Sequence, residues 1–157
     1  VSRDAGGLYL LFSLDQDRYA LSVHEVVEVL PLRRLKAFPQ APAWVAGGFE
    51  HRGALVPVLD LLVRACGRPA AALTSTRLVL VHYRPANRVL GLILEKATET
   101  LRLPASACRD SGLGPGDAPY LGAVQDSPQG LLQCIDVAGL LPADVCALLF
   151  PDMDAPA

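Results

Sequence analysis

The side chains that could carry chemistry in this chain begin with its 3 histidines. His24, His51 and His82 lie far apart, and none stands in an H-x-x-H or H-E-x-x-H frame. Such a frame is the spacing that brings two imidazoles onto one metal ion. We therefore expect no metal site and no bound cofactor.

The 4 cysteines, Cys66, Cys108, Cys134 and Cys146, contain no C-x-x-C pair and have no histidine at ligand spacing. Reduced, packed thiols are the simplest expectation. The alternative is a Cys–His nucleophile, with His51 activating Cys66, which would make the protein a small hydrolase. The residues around both positions carry no activating pattern, so we expect no catalytic residue.

Asp60 and Asp136 each follow an apolar run and precede a stretch that contains leucine. A catalytic carboxylate pair would need another context, such as Asp-Thr/Ser-Gly, whereas an aspartate between a strand and a helix commonly caps that helix. The pattern predicts two structural caps. The glycine-rich stretch 112–116 lacks the Lys-Ser/Thr of a phosphate-binding loop and indicates a plain turn.

Arg52 opens the run RGALVPVLDL at 52–61. Gly53 predicts a tight turn, and the apolar residues up to Asp60 predict a buried strand. Pro57 places that strand at an edge or a bulge, because proline cannot donate a hydrogen bond to the sheet. Arg52 is left at the turn, where its guanidinium offers several donors in a rigid fork. This chemistry suits binding rather than catalysis.

The elements that must position these residues come in duplicate. Two polar turns each separate a pair of apolar runs, which is the pattern of a β-hairpin. The four runs are 8–14 and 19–23, then 77–83 and 89–95. Downstream, the stretch from Gly47 to Asp60 is echoed by the stretch from Gly122 to Asp136. The chain is therefore predicted to contain two similar β-rich halves.

A length of 157 residues suits one compact domain. We expect that domain to span 8–150, with intertwined halves at about 8–65 and 76–141 and with tails at 1–7 and 151–157.

One short helix is predicted after the first hairpin. Ser22 and Glu25 form a capping-box signature, and apolar residues from Val23 to Leu30 recur at helical spacing. The helix would be at most about two turns long.

Composition excludes other classes of function. Hydrophobic residues make up 52% of the chain, yet no apolar stretch approaches the roughly 20 residues of a membrane-spanning helix. A net charge of −2 gives no long-range attraction to a phosphate backbone. The first residues lack the pattern of a secretory signal. We expect a cytoplasmic protein that neither binds nucleic acid nor inserts into a membrane.

Taken in order, these features resemble the CheW family, the adaptors that couple chemoreceptors to the histidine kinase CheA. The resemblance runs from about Leu8 to Phe150. Its motifs are weak singly and specific in their order and spacing. They are YLLFSL at 9–14, YAL at 19–21, VVEV at 26–29, PAWVAG at 42–47, the run at 52–61, VLGLILE at 89–95, YLG at 120–122 and LLQCID at 131–136.

The resemblance implies a mainly β fold, in which two five-stranded SH3-like β-barrel subdomains with short helices pack around a shared core. It also implies a non-catalytic signalling scaffold with two partners, the cytoplasmic tip of a methyl-accepting chemoreceptor and the regulatory domain of a CheA-like histidine kinase. The kinase-contact residues stay unknown. The receptor groove would lie between the barrels, lined by Val23, Val26, Val29, Leu14 and Leu92, with Arg52 at its rim. The residues expected to serve the scaffold are Gly47, Gly53, Pro57, Asp60 and Asp136.

Glu50 and His51 depart from the family pattern, which commonly has Asn-Leu before its Arg-Gly. Both are candidate modulators of specificity, because Glu50 could pair with Arg52 in competition with the receptor and His51 is titratable. The departures favour an alternative chemosensory pathway, such as Wsp-type surface sensing. A CheW-like regulatory module excised from a larger CheA- or CheV-type protein would fit the same residues.

Overall fold

The computed structural model describes residues 7–104, 108–109, 120–128 and 130–151. The glycine-rich stretch 112–116 and nearly all of both predicted tails lie outside these residues. The strands are β1 Gly7–Leu14, β2 Asp17–Ser22, β3 Val26–Pro31, β4 Val45–His51, β5 Ala54–Asp60, β6 Arg77–Tyr83, β7 Arg88–Leu103, β8 Cys108–Arg109, β9 Leu121–Ser127 and β10 Gly130–Ile135. The helices are α1 Leu61–Cys66 and α2 Ala143–Leu149.

Two SH3-like barrels share the long strand β7. The N-terminal part of β7 pairs with β6 and, in parallel, with β5, and these strands together with β3 and β4 form the first barrel. The C-terminal part of β7 pairs with β1, and β2, β10, β9 and β8 complete the second barrel. The change of partners falls between Leu94 and Glu95, next to Lys96, a non-glycine residue with a φ of 55°.

Both predicted hairpins are confirmed. Leu14 pairs with Asp17 across the first turn, and Tyr83 pairs with Arg88 across the second. Strand β7, however, runs to Leu103, well past the predicted end of that run. The N-terminal hairpin therefore belongs to the second barrel, and each barrel takes strands from both halves of the sequence.

The buried side chains form three groups, one inside each barrel and a larger one between them. The first barrel encloses Phe49, Val56, Val58, Leu78 and Leu80, and the second encloses Leu11, Ala20, Leu103 and Leu132. The larger group joins β1 and β2 to β6, β7 and α2, and we call it the shared core. Its members include Leu10, Phe12, Leu14, Leu21, Val79, Val81, Leu90, Leu92, Leu94 and Val145.

Asp60 and Asp136 are caps, as predicted. Oδ1 of Asp60 accepts hydrogen bonds from the amides of Leu62 and Val63, at 3.1 and 3.3 Å, at the start of α1. Oδ1 of Asp136 accepts one from the amide of Ala138, at 3.2 Å, at the start of a short 3-10 turn. Both carboxylates are thus occupied by backbone donors, which accounts for the duplication without catalysis.

Position 47 requires a glycine for both its backbone conformation and its close contact with the backbone of Lys36. Its φ is 140°, and a Cβ at this position would stand 2.3 Å from the carbonyl oxygen of Lys36. Pro57 lies opposite Gly48 in the half of β5 that precedes the pairing with β7, which begins at Val58. The missing amide of Pro57 therefore costs no hydrogen bond to β7, and the predicted edge position is confirmed for this half of the strand.

The helix predicted over 23–30 is wrong. Ser22 caps only a single 3-10 turn, Val23–Glu25, and the chain then extends as β3. Side chains along β3 alternate between half-buried and exposed, which is the period of a strand. Three β-branched valines in VVEV favour that conformation, and pairing with β6 provides the hydrogen bonds.

Candidate functional site

Arg52 occupies the tip of the hairpin β4–β5. His51 pairs with Ala54, so that Arg52 and Gly53 form the turn, with φ values of 53° and 82°. A two-residue turn with both φ values positive matches the right-handed twist of the flanking strands. The side chain of Arg52 is 77% exposed. Sequence and fold together therefore present one guanidinium to the solvent on a short, well-defined turn.

The carboxylate that pairs with Arg52 is that of Glu28 on β3, and the contact suggested with Glu50 is wrong. Nη2 of Arg52 lies 3.2 Å from Oε1 of Glu28. The left-handed backbone at Arg52 reverses the chain at the hairpin tip, and the side chain spans the space to β3. Glu28, only 31% exposed, is the less mobile partner and sets the direction of the guanidinium.

His51 lies against the same pair. Its Nε2 atom is 3.1 Å from Oε1 of Glu28 and 3.2 Å from Nε of Arg52. The imidazole is only 16% exposed, and its edge packs against the ring of Phe49 with the ring centroids 5.7 Å apart. Glu28, His51 and Arg52 thus form one connected group, which we call the arginine triad.

A cavity of about 310 Å³ opens beside the arginine triad at one end of the first barrel. Its outer wall carries Val27 and Leu55, whose exposed fractions are 54% and 61%. Its floor is formed by Leu80 and Val89. Large apolar side chains exposed next to an oriented guanidinium are the combination found where proteins bind one another.

A second apolar groove, of about 410 Å³, lies between the segment 38–41 and the end of α2. Leu55 lines both this groove and the first cavity, and Leu148 of α2 is also exposed. The apolar surface therefore continues from the arginine triad to α2.

The residues predicted to line one receptor groove do not share a surface. Leu14 and Leu92 are 2% and 0% exposed within the shared core, so their assignment as contact residues is wrong. Val26 is half-buried against the same core, whereas Val29 points outward and is 45% exposed. Val23 is half-buried in the 3-10 turn. The resemblance assumed that the valines lie on a short helix, whereas Val26 and Val29 lie on strand β3.

Glu28, Val27 and Leu55 were missed as site residues. Glu28 lies on β3, whereas Arg52 follows β4, and a long connection separates the two strands. No local sequence pattern therefore indicates that these two side chains meet. One signal was present, because a glutamate within the apolar run VVEV needs a polar partner once that run is a half-buried strand.

Cys66 is exposed, so the expectation of a packed thiol is wrong for it, whereas Cys146 is buried. Partial desolvation, together with the carboxylates of Asp15 and Asp17, raises the pKa of the Cys66 thiol, and Arg68 opposes the shift. A raised pKa reduces the thiolate needed for attack. The environment of Cys66 is therefore the reverse of an activated nucleophile.

Within the described ranges, no group of three or more His, Cys, Asp or Glu side chains could hold a metal ion. In the same residues, neither helix has the length and apolar character needed to cross a membrane.

Three comparisons with known proteins agree with this architecture. Residues 8–145 match the model of the CheW-like domain family. The chemotaxis protein CheW of Klebsiella aerogenes is 23% identical over 149 residues, which cover 92% of this chain and 87% of that protein. Protein FrzA of Myxococcus xanthus is 30% identical over 122 residues, covering 76% and 74% of the two chains. The crystal structure of the scaffolding protein TtCheW from Thermoanaerobacter tengcongensis is 20% identical and shares the fold, with a TM-score of 0.78 over 89% of this chain and 90% of that one.

A pair of SH3-like barrels with an oriented surface arginine among exposed apolar side chains offers a surface suited to binding another protein. The chain belongs to the CheW-like family of signalling scaffolds, since the family match covers most of its length. This confirms the resemblance and the fold class that the sequence indicated.

Proposed function

We propose that this chain is a non-catalytic, cytoplasmic adaptor that couples a methyl-accepting chemoreceptor to a CheA-type histidine kinase. Membership of the CheW-like family and the likeness to chemotaxis proteins support this function. The observation that carries the receptor contact is the arginine triad, which presents Arg52 beside Val27 and Leu55.

The receptor tip is proposed to bind over the cavity beside the arginine triad. Apolar side chains of the tip would cover Val27 and Leu55, which are now in contact with water. Removing apolar surface from water contributes roughly 25 cal/mol per Å², against which the loss of translational and side-chain freedom on association must be set. Arg52 would orient the complex by donating to a carboxylate or carbonyl group of the tip.

Glu28 holds Arg52 beside that contact. An ion pair with an exposed partner contributes little, about 0 to 1 kcal/mol, so a carboxylate of the receptor can replace Glu28 at low cost. Glu28 is therefore a weak competitor of the receptor for Arg52.

Kinase binding is proposed to use a surface away from the arginine triad, because a coupling protein must hold both partners at once. Variants at Arg52 should therefore lose the receptor and retain the kinase. This separation distinguishes an adaptor from a domain that binds a single partner.

The test is a pair of titrations, one with a purified receptor cytoplasmic tip and one with the kinase regulatory domain. Arg52→Glu and Leu55→Asp should each weaken receptor binding at least about tenfold, the order expected when a contact residue near an interface centre is reversed or made charged. Arg102→Glu, at an exposed arginine of the second barrel, is the matched charge control and should leave receptor binding unchanged.

Unfolding curves of all three variants must coincide with that of the wild type, because all three altered positions are exposed. Receptor binding that persists unchanged in Arg52→Glu and in Leu55→Asp would place the receptor contact elsewhere on the molecule.

A further inference from the structure

His51 cannot make both of its polar contacts at the same time. Nε2 is within hydrogen-bond distance of Oε1 of Glu28, which requires a proton on that nitrogen, and of Nε of Arg52, which requires a lone pair there. The arginine triad therefore has two arrangements, set by whether Nε2 carries a proton. A neutral imidazole can take either one through its two tautomers, whereas the imidazolium, with a proton on both nitrogens, takes only the one in which Nε2 donates to Glu28.

In the first arrangement, His51 is neutral and Nε2 carries the lone pair. Arg52 then donates from Nε to His51 and from Nη2 to Glu28, so that its guanidinium is held at two points. In the second arrangement, Nε2 carries a proton and donates to Glu28, and this is the only arrangement open to the imidazolium. The imidazolium also adds a positive charge next to Arg52, which loses its acceptor on His51 and shares Glu28 with a second cation.

The exposure of the three side chains decides which cation leaves. His51 is 16% exposed and lies against Phe49, whereas Arg52 is 77% exposed. A protonated imidazole in this position depends on Glu28 to offset its loss of water, but a guanidinium at the surface can exchange Glu28 for solvent. Protonation should therefore release Arg52 and leave His51 on Glu28.

Within the described residues, Glu28 is the one acid that makes a hydrogen bond or ion pair with His51 or Arg52. Leu80 of β6 and Val89 of β7 form the apolar floor of the cavity. Phe49, against which His51 packs, carries the guanidinium of Arg33 above its ring, 4.9 Å from the centroid, which adds a further positive charge nearby. Glu28 is thus the carboxylate for which His51 and Arg52 compete.

We infer that His51 is a positioning residue that makes Arg52 available in proportion to its own protonation, so that receptor coupling strengthens as the pH falls through the range in which histidine titrates. This rests on the proposed function for the identity of the partner, an acidic receptor tip. The exchange of partners within the arginine triad is independent of the proposed function. Histidine is the side chain whose charge ordinarily changes between about pH 5 and pH 8.

The expected effect on binding is small and has a defined sign. Releasing Arg52 removes an exposed ion pair that competes with the partner, which corresponds to about a two- to fivefold change in the dissociation constant. Affinity for the receptor tip should rise by that factor when His51 gains its proton. By linkage, binding of the tip should cause His51 to take up a proton.

The experiment has two arms. In the first arm, the Nε–H resonance of Arg52 and the ring resonances of His51 are followed by NMR as the free protein is titrated with acid. In the second, receptor-tip affinity is measured at each pH for the wild type, His51→Gln and His82→Gln. His82, hydrogen-bonded to Asn87 at 3.0 Å, is the matched control and should keep the wild-type pH dependence.

We expect the Arg52 resonance to move together with the His51 titration, and both this movement and the pH dependence of affinity to be absent in His51→Gln. An Arg52 resonance that ignores the titration of His51, or equal pH dependence in His51→Gln and the wild type, would overturn the inference. If the resonances move together and the tip binds at no pH, the exchange within the arginine triad stands and the proposed receptor partner is wrong.

Discussion

Replacing Asp60 with alanine should destabilise the protein far more than the same change at its duplicated counterpart, Asp136. The carboxylate of Asp60 accepts from Leu62 and Val63 through Oδ1, and from the amide of Ala70, at 2.9 Å, through Oδ2. It is 8% exposed. Water cannot readily replace these acceptor atoms, because the carboxylate joins the start of α1 to the chain beyond its end.

Two contributions give the magnitude. Loss of an N-cap costs about 0.5 to 2 kcal/mol. A buried or half-buried amide left without an acceptor at Ala70 costs a further 1 to 3 kcal/mol, roughly. Asp60→Ala should therefore lower the free energy of unfolding by about 2 to 4 kcal/mol. Asp136 is exposed and accepts from Ala138 alone, so Asp136→Ala should cost only about 0.5 to 1 kcal/mol.

Urea unfolding followed by circular dichroism measures both values on the same domain. The slope of free energy against urea should stay constant, since neither change alters the surface that unfolding exposes. Equal losses in the two variants would refute the reasoning, because they would show that the second oxygen of Asp60 and its burial contribute nothing beyond capping.

Two further predictions concern the backbone and the free thiol. Gly47→Ala should destabilise the fold by at least about 2 kcal/mol, because its Cβ would meet the Lys36 carbonyl, whereas Gly53→Ala, which has a φ of 82° but open space around it, should cost about 1 kcal/mol in the same urea assay. Similar losses in the two variants would contradict the steric argument. Cys66 should react with a maleimide along a pH profile displaced above that of free cysteine, because desolvation and the carboxylates of Asp15 and Asp17 raise the pKa of its thiol. The profile should move to lower pH in Asp15→Asn, and an unchanged profile would remove that carboxylate as a cause.

Local features of the sequence predicted much of the fold. The hairpin at 7–22 depends on a polar turn between two apolar runs. The cap at Asp60 depends on a carboxylate that lies two residues before one free helix amide and three residues before the next. The same reasoning failed over 23–30, because VVEV fits both a helical and an alternating pattern in so short a window. The branching of its valines favoured the strand.

The parts that could not be predicted depend on contacts between distant residues. Strand β7 continues through KATETLRL, in which most side chains are polar and outward, so its second half has no apolar signature. Its existence depends on the edge that β1 offers. Likewise, Glu28 meets Arg52 and His51 only once β3 lies beside the hairpin β4–β5. The sequence predicted the exposed arginine but not the acid that holds it.

The sharing of β7 has a consequence for how the chain reaches its native state. The first barrel uses only strands between Val26 and Leu94, one continuous stretch, whereas the second must join the N-terminal hairpin to strands that follow Lys96. Hairpin β1–β2 must remain with both edges unpaired until β7 and β10 arrive, because Gly7 pairs with Leu103 and Tyr19 with Gln133. Pairings so distant in sequence slow folding to the scale of milliseconds to seconds. The second barrel should therefore close last, and until it closes the edges of hairpin β1–β2 are exposed to other chains.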